Sequence, residues 1–121
     1  MAIQILKNLK ALHSLGYVHC DLKLENICMK FKTTSNEIFF DNNNLSSNLE
    51  IDQAKFYLID FGLSSPYLLR KRQVKTNFFR GNLLFASHSQ CLLNELCPYD
   101  DIESLLYIIV YLLSNYSLPW I

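Results

Sequence analysis

Three glycines serve a chain of 121 residues, at positions 16, 62 and 81, and they lie too far apart to build a GxGxxG loop over a nucleotide phosphate. Net charge is also missing. Eleven Lys and Arg balance eleven Asp and Glu, which removes the usual electrostatic argument for a nucleic-acid partner or an acidic tail. The longest uninterrupted apolar run, Leu105 to Leu113, is nine residues, well short of the roughly 17–25 needed to cross a bilayer. The N-terminal stretch MAIQILKNLK lacks the basic region, apolar core and small-residue cleavage site of a secretory signal, so an intracellular protein of cytoplasm or nucleus, with no membrane partner, is expected. Cys20, Cys28, Cys91 and Cys97 have neither CxxC spacing nor the density of a disulfide scaffold and read as reduced thiols. What is abundant is apolar material, 50% of the chain, enough for one core and too little length for two ordinary domains.

Ile5, Leu6, Leu9, Leu12 and Leu15 recur at intervals of three and four, which predicts an amphipathic helix over residues 2–15 closed by Gly16 as a left-handed cap. Tyr17 and Val18 then start an extended segment, and His19 to Asn26 reads as a loop. Ile27 to Phe31 and Ala54 to Ile59 are short strands by composition. Between them, Thr33 to Asn48 holds five Asn and three Ser, the composition of an expanded surface loop, and residues 32–52 are assigned as an insertion in a hairpin. Between Asp60 and Glu95 there is no acidic residue, and the segment carries Arg70, Lys71, Arg72, Lys75 and Arg80. A helix is expected over Ile102 to Ser114, with Asp100 and Glu103 at capping-box spacing. Its apolar residues face all round, which implies burial on every side.

The loop after the first helix reads His19-Cys20-Asp21-Leu22-Lys23-Leu24-Glu25-Asn26, and the second strand runs into Asp60-Phe61-Gly62. Transfer of a phosphoryl group to a hydroxyl needs a carboxylate to accept the proton, a cation on the phosphate, and hard oxygen ligands for a metal. Asp21, Lys23, Asn26 and Asp60 are groups of those kinds. The two segments resemble the catalytic loop and the metal-binding DFG motif of protein kinases. Taken with FRGNLLFAS and DDIESLLYIIVYLLSNYSLPW in the same order, they resemble the casein kinase I family of serine/threonine kinases over almost the whole chain.

That resemblance implies an α+β fold, the mainly helical C-terminal (large) lobe of a kinase, with a short β-hairpin carrying the catalytic and DFG loops. Residues 1–121 would be a partial kinase domain, with the N-terminal lobe absent. It implies ATP and Mg2+ as cofactors and protein hydroxyls as phosphate acceptors. Asp21 would be the catalytic base, Lys23 would contact the γ-phosphate, and Asn26 with Asp60 would hold the metal. His19, Phe61, Gly62 and Asp101 would be structural supports: His19 under the loop, Phe61 behind the metal, Gly62 allowing a backbone turn, and Asp101 holding the catalytic loop from below or simply capping its helix. The basic stretch from Arg70 to Arg80 would form the activation loop, either merely solvated or attracting acidic substrates.

Four positions depart from the family pattern. Cys20 replaces the Arg before the catalytic Asp, Leu24 replaces a common Pro, Asn82 replaces a Thr whose hydroxyl bridges the catalytic Asp and Lys, and Leu84 replaces an Arg that reads substrate phosphate. With no Gly-rich loop or strand lysine ahead of the catalytic loop, weak activity of the isolated chain is expected. A noncatalytic pseudokinase-like binding module is the second reading, and a metal-dependent phosphohydrolase built on Asp21 and Asp60 is the third.

Overall fold

A computed structural model of the chain describes residues 1–30, 54–67 and 75–120. The insertion at 32–52 and the basic residues Arg70, Lys71 and Arg72 lie outside the described residues. Helix α1, Ala2–Ser14, follows the expected spacing, with Ile5 and Leu9 fully buried. It ends where Gly16 takes φ +85, a left-handed conformation open to glycine at little cost, and the Gly16 amide closes the helix on the His13 carbonyl.

Four short strands follow: β1 Tyr17–Val18, β2 Ile27–Lys30, β3 Lys55–Leu58 and β4 Ser65–Pro66. They form two antiparallel ladders. In one, Tyr17 faces Pro66 and Val18 faces Ser65; in the other, Ile27 faces Leu58 and Lys30 faces Lys55. Two strands alone leave exposed edges, but α1 covers one edge of β3 with amide side chains. Gln4 donates to the Ala54 carbonyl at 3.1 Å and accepts from the Phe56 amide at 2.8 Å, and Asn8 donates to the Phe56 carbonyl at 3.0 Å. Gln4 and Asn8 are four apart on the helix, so both reach the same strand.

Helix α2, His88–Cys91, is a single turn with a capping box between Ser87 and Gln90. Helix α3, Pro98–Leu113, begins four residues earlier than the apolar pattern indicates, because Pro98 is pre-set for the first helical turn and Asp100, not Glu103, closes the capping box with Cys97. Nor is it buried all round. Leu105 and Ile108 are enclosed with Ile5, Leu9, Leu22, Leu58, Phe85 and Leu118 in one core, whereas Leu106, Val110 and Leu113 face outward. An apolar circumference signals surface that can be buried; among the described residues only one side of α3 has neighbours to bury it. No helix among the described residues is long and apolar enough to cross a membrane.

Candidate functional site

The two ladders determine where the polar motifs meet. Loop 19–26 starts at the end of β1 and finishes at the start of β2, and loop 59–64 starts at the end of β3 and finishes at the start of β4. Because β1 pairs with β4 and β2 with β3, both loops are pinned at both ends to the same two ladders and must run side by side. Contacts along their length reflect this. The Ile59 amide donates to the Asn26 carbonyl at 3.0 Å, His19 Nε2 donates to the Ile59 carbonyl at 3.1 Å, and the Ser64 hydroxyl donates to the His19 carbonyl at 3.4 Å.

Asp21 is buried and paired on two sides. Lys23 Nζ lies 2.9 Å from Asp21 Oδ2, and Asn26 Nδ2 donates to the same oxygen at 3.2 Å and to the Asp21 carbonyl at 2.8 Å. Leu24–Asn26 forms a 3-10 turn, which swings Asn26 back over Asp21. The hydrogen bond to Asp21 holds the Lys23 ammonium above its ordinary pKa, and the nearby Asp21, Glu25 and Asp60 charges act in the same direction. Lys23 is thus a cation held beside the Asp21 carboxylate.

Asp60 is exposed at the mouth of loop 59–64, in a left-handed conformation with φ +61, and its Oδ1 accepts from the Gly62 amide at 3.2 Å. The expected turn therefore uses Asp60 as its left-handed residue. Gly62 does not have positive φ; a Cβ there would lie 3.2 Å from Asp60 Oδ1, so glycine keeps this carboxylate uncrowded. Phe61 is half-exposed with its ring 5.2 Å from that of His19. Asn26 is buried, with its Nδ2 turned to Asp21. Asp60 and Asn26 thus bring a carboxylate and a carboxamide to the adjoining ends of β2 and β3, oxygen donors of the hard kind that Mg2+ takes.

Below the loop, Asp101 is 2% exposed and fully engaged. Its Oδ2 accepts from the His19 amide at 2.8 Å and from His13 Nε2 at 2.7 Å, and its Oδ1 accepts from the Cys20 amide at 3.1 Å. Sequence reasoning passed over His13, whose partner is 88 residues away. It also passed over Gln90, a buried carboxamide that donates to the carbonyl of Cys20. His13 belongs to no local spacing pattern, and the S-x-x-Q spacing of Ser87 and Gln90 signals only a helix cap, not the contact with Cys20.

The departures from the family pattern also have definite surroundings. Cys20 is buried with φ +69 and its Sγ 3.3 Å from Ser65 Oγ, and burial pushes its thiol above the ordinary pKa. Asn82 Oδ1 accepts from the Leu84 amide at 2.8 Å and the Phe85 amide at 3.4 Å, capping the 3-10 turn Leu83–Phe85. Its side chain is committed to that cap, and Asp21 and Lys23 pair directly. Arg80 lies 4.9 Å over the Phe78 ring, and Lys75 donates to the Leu92 carbonyl at 2.9 Å. An open apolar groove of about 560 Å³ lies elsewhere, between α1 and the start of α3, lined by Leu6, His13, Tyr67 and Ile102 among others. It holds neither loop's carboxylates.

No family model matches the chain. Two curated proteins are similar to it over 99% of its length: a probable serine/threonine-protein kinase of Dictyostelium discoideum, 28% identical over 124 residues, and a casein kinase 1-like protein of Oryza sativa subsp. japonica, 29% identical over 126 residues. The chain spans 21% and 15% of the length of these two proteins. It is thus a weak homologue of serine/threonine kinases, matched along its whole length to a small part of each.

Proposed function

We propose that these residues form the catalytic-loop portion of a casein kinase I-like serine/threonine kinase, part of a mainly helical large lobe, which transfers the γ-phosphoryl group of ATP to protein hydroxyls. The observation that carries this reading is the Asp21–Lys23–Asn26 cluster set beside Asp60 by the paired ladders. The similarity to serine/threonine kinases over 99% of the chain supports it.

In this reading Asp21 accepts the proton of the incoming Ser or Thr hydroxyl as its oxygen bonds to the γ-phosphorus and the bond to the β-phosphate oxygen breaks. Asn26 orients that carboxylate by donating to Oδ2. Lys23, held beside Asp21, places its positive charge on the transferred phosphoryl oxygens. Asn26 and Asp60 would hold Mg2+, which would supply neutralisation of the phosphate charge. Asp101 fixes the backbone of His19 and Cys20 so that Asp21 stays in place beside Lys23 and Asn26. Protein substrates with acidic character suit the excess of Lys and Arg between Asp60 and Glu95.

A pseudokinase-like module that binds partners without catalysis is the second reading. It is favoured by one observation: Asn82 is engaged in capping, so the side chain in the place of the family's bridging Thr is turned from Asp21 and Lys23. The natural full-length protein, incubated with ATP, Mg2+ and an acidic phosphoacceptor protein, separates the two. Kinase activity predicts phosphoserine or phosphothreonine in the acceptor by mass spectrometry, abolished by Asp60→Ala. No phosphate transfer from the folded protein would overturn the kinase reading in favour of the binding module.

A further inference from the structure

We propose that Gln90 is a positioning residue for phosphoryl transfer, holding the Cys20 peptide and through it the carboxylate of Asp21. The inference rests on the kinase reading above and adds a residue outside both loops. Gln90 is 6% exposed on the single-turn helix α2. Its Nε2 donates to the Cys20 carbonyl at 2.8 Å and to the Arg80 carbonyl at 3.0 Å, and its Oε1 accepts from the Ser87 amide at 3.0 Å. Both N–H groups of the carboxamide and its oxygen are therefore used.

Cys20 is where such a hold is needed. A non-glycine residue at φ +69 persists only where its surroundings over-determine it. Here the two peptide groups of Cys20 are taken by different side chains: Asp101 accepts its amide, and Gln90 donates to its carbonyl. The peptide that carries that carbonyl is planar and leads directly into Asp21, so fixing the carbonyl fixes the direction from which the Asp21 side chain departs. Gly81 makes room for the contact, since a Cβ there would collide with the Cys20 carbonyl oxygen and come within 2.8 Å of Gln90 Nε2.

Both branches of this hold are rooted in the first turn of α3. Asp101 acts directly. Gln90 acts through Ser87, which accepts from the Gln90 amide at 3.1 Å and donates to Asp100 Oδ1 at 2.7 Å, while Asp100 Oδ2 accepts from the Cys97 amide at 2.7 Å. The capping box of α2 explains only half of Gln90. A glutamate would satisfy the box equally well, because the box uses the side-chain oxygen; the NH2 group serves Cys20 and Arg80 alone. Gln90→Glu therefore keeps the cap and removes the hold.

Steady-state phosphotransfer by the natural full-length protein tests this with Gln90→Glu, Gln90→Met, Asp21→Asn and the double variant Asp21→Asn/Gln90→Glu. Both Gln90 variants should lower kcat about 10–100-fold, the scale of a misplaced catalytic group, with KM for ATP and for an acidic serine peptide within about twofold. On the Asp21→Asn background Gln90→Glu should cost nothing further, since both changes act on one group. Unchanged kcat, a loss confined to KM, or a full additional loss in the double variant would overturn the role of Gln90. Absence of transfer by the unmutated protein, or indifference to Asp21→Asn, would overturn the kinase reading itself and the catalytic role of Gln90 with it. Should both Gln90 variants fail to fold, the side-chain amide protons of Gln90 in the unmutated protein should exchange about 100-fold more slowly than a free carboxamide. Exchange at the free rate would overturn the hold.

Discussion

Asp21, Lys23 and Asn26 lie within five residues of one another, yet each is held by a different device. Lys23 is paired in a partly exposed site, Asn26 is folded back by a 3-10 turn, and Asp21 stays buried against both. Asn82 is the residue most open to improvement. A threonine at 82 gives up the cap on the Leu84 amide and frees its one hydroxyl to bridge Asp21 and Lys23, so Asn82→Thr should raise kcat of the full-length protein several-fold, about 1 kcal/mol of barrier. An unchanged kcat would mean that the direct Asp21–Lys23 pair already sets the geometry.

Other side chains govern the response to alkali. Tyr107 donates to Glu103 at 2.6 Å, and this hydrogen bond, together with burial, pushes its pKa from 10.0 up to about 12. Burial raises the Cys20 thiol from 9.0, and the Asp21 hydrogen bond raises Lys23 from 10.5. In each case the folded chain keeps a proton that the unfolded chain releases sooner. Stability from these groups is thus complete below about pH 9 and declines as pH rises through the values of the unfolded groups toward those of the folded ones. Urea midpoints measured from pH 8 to 12 should fall above pH 9, and Tyr107→Phe should make the decline between pH 10 and 12 shallower. A midpoint independent of pH over that range would contradict the assignments.

At the scale of elements, α1 and α3 supply half of the enclosed core and the strands supply the alignment of the loops. Neighbouring leucines on α3 report which side of the helix is inside: Leu105 is 1% exposed and Leu106 is 55% exposed. Leu105→Ala should destabilise by about 2–5 kcal/mol, as for other buried leucines, and Leu106→Ala by less than about 1 kcal/mol, read from urea denaturation. Equal losses would mean that α3 is enclosed on both sides.

The legibility of these elements in the sequence differed for physical reasons. Helix α1 was readable because five apolar residues at helical spacing and Gly16 are all local signals. The start of α3 was not, because cysteine is an uncommon cap and the apolar run begins a turn later than the helix. The β1–β4 ladder, two residues a strand, has no period to detect, though it is what brings the two loops together. Within the site, Asp21, Lys23, Asn26 and Asp60 could be named from short motifs. His13 and Gln90 could not, since their partners are 88 and 70 residues away and only the tertiary fold joins them.

For the molecule as a whole, outward-facing apolar surface is the dominant feature not used by the core. Leu106, Val110 and Leu113 on α3 form a stripe at helical spacing, with Leu113 81% exposed. In aqueous buffer the 121-residue chain should scatter light increasingly with concentration, and Leu113→Glu should reduce that scattering without lowering the melting temperature. Scattering unaffected by this change would mean that another surface drives association.

The central claim concerns chemistry, and Asp21→Asn in the natural full-length protein tests it most directly, with ATP, Mg2+ and an acidic serine peptide. The substitution keeps the size of the side chain and removes its capacity to take a proton. A catalytic base contributes about 10²–10⁴-fold, so kcat should fall by that factor with KM for ATP little changed. Transfer at the unmutated rate would contradict the account.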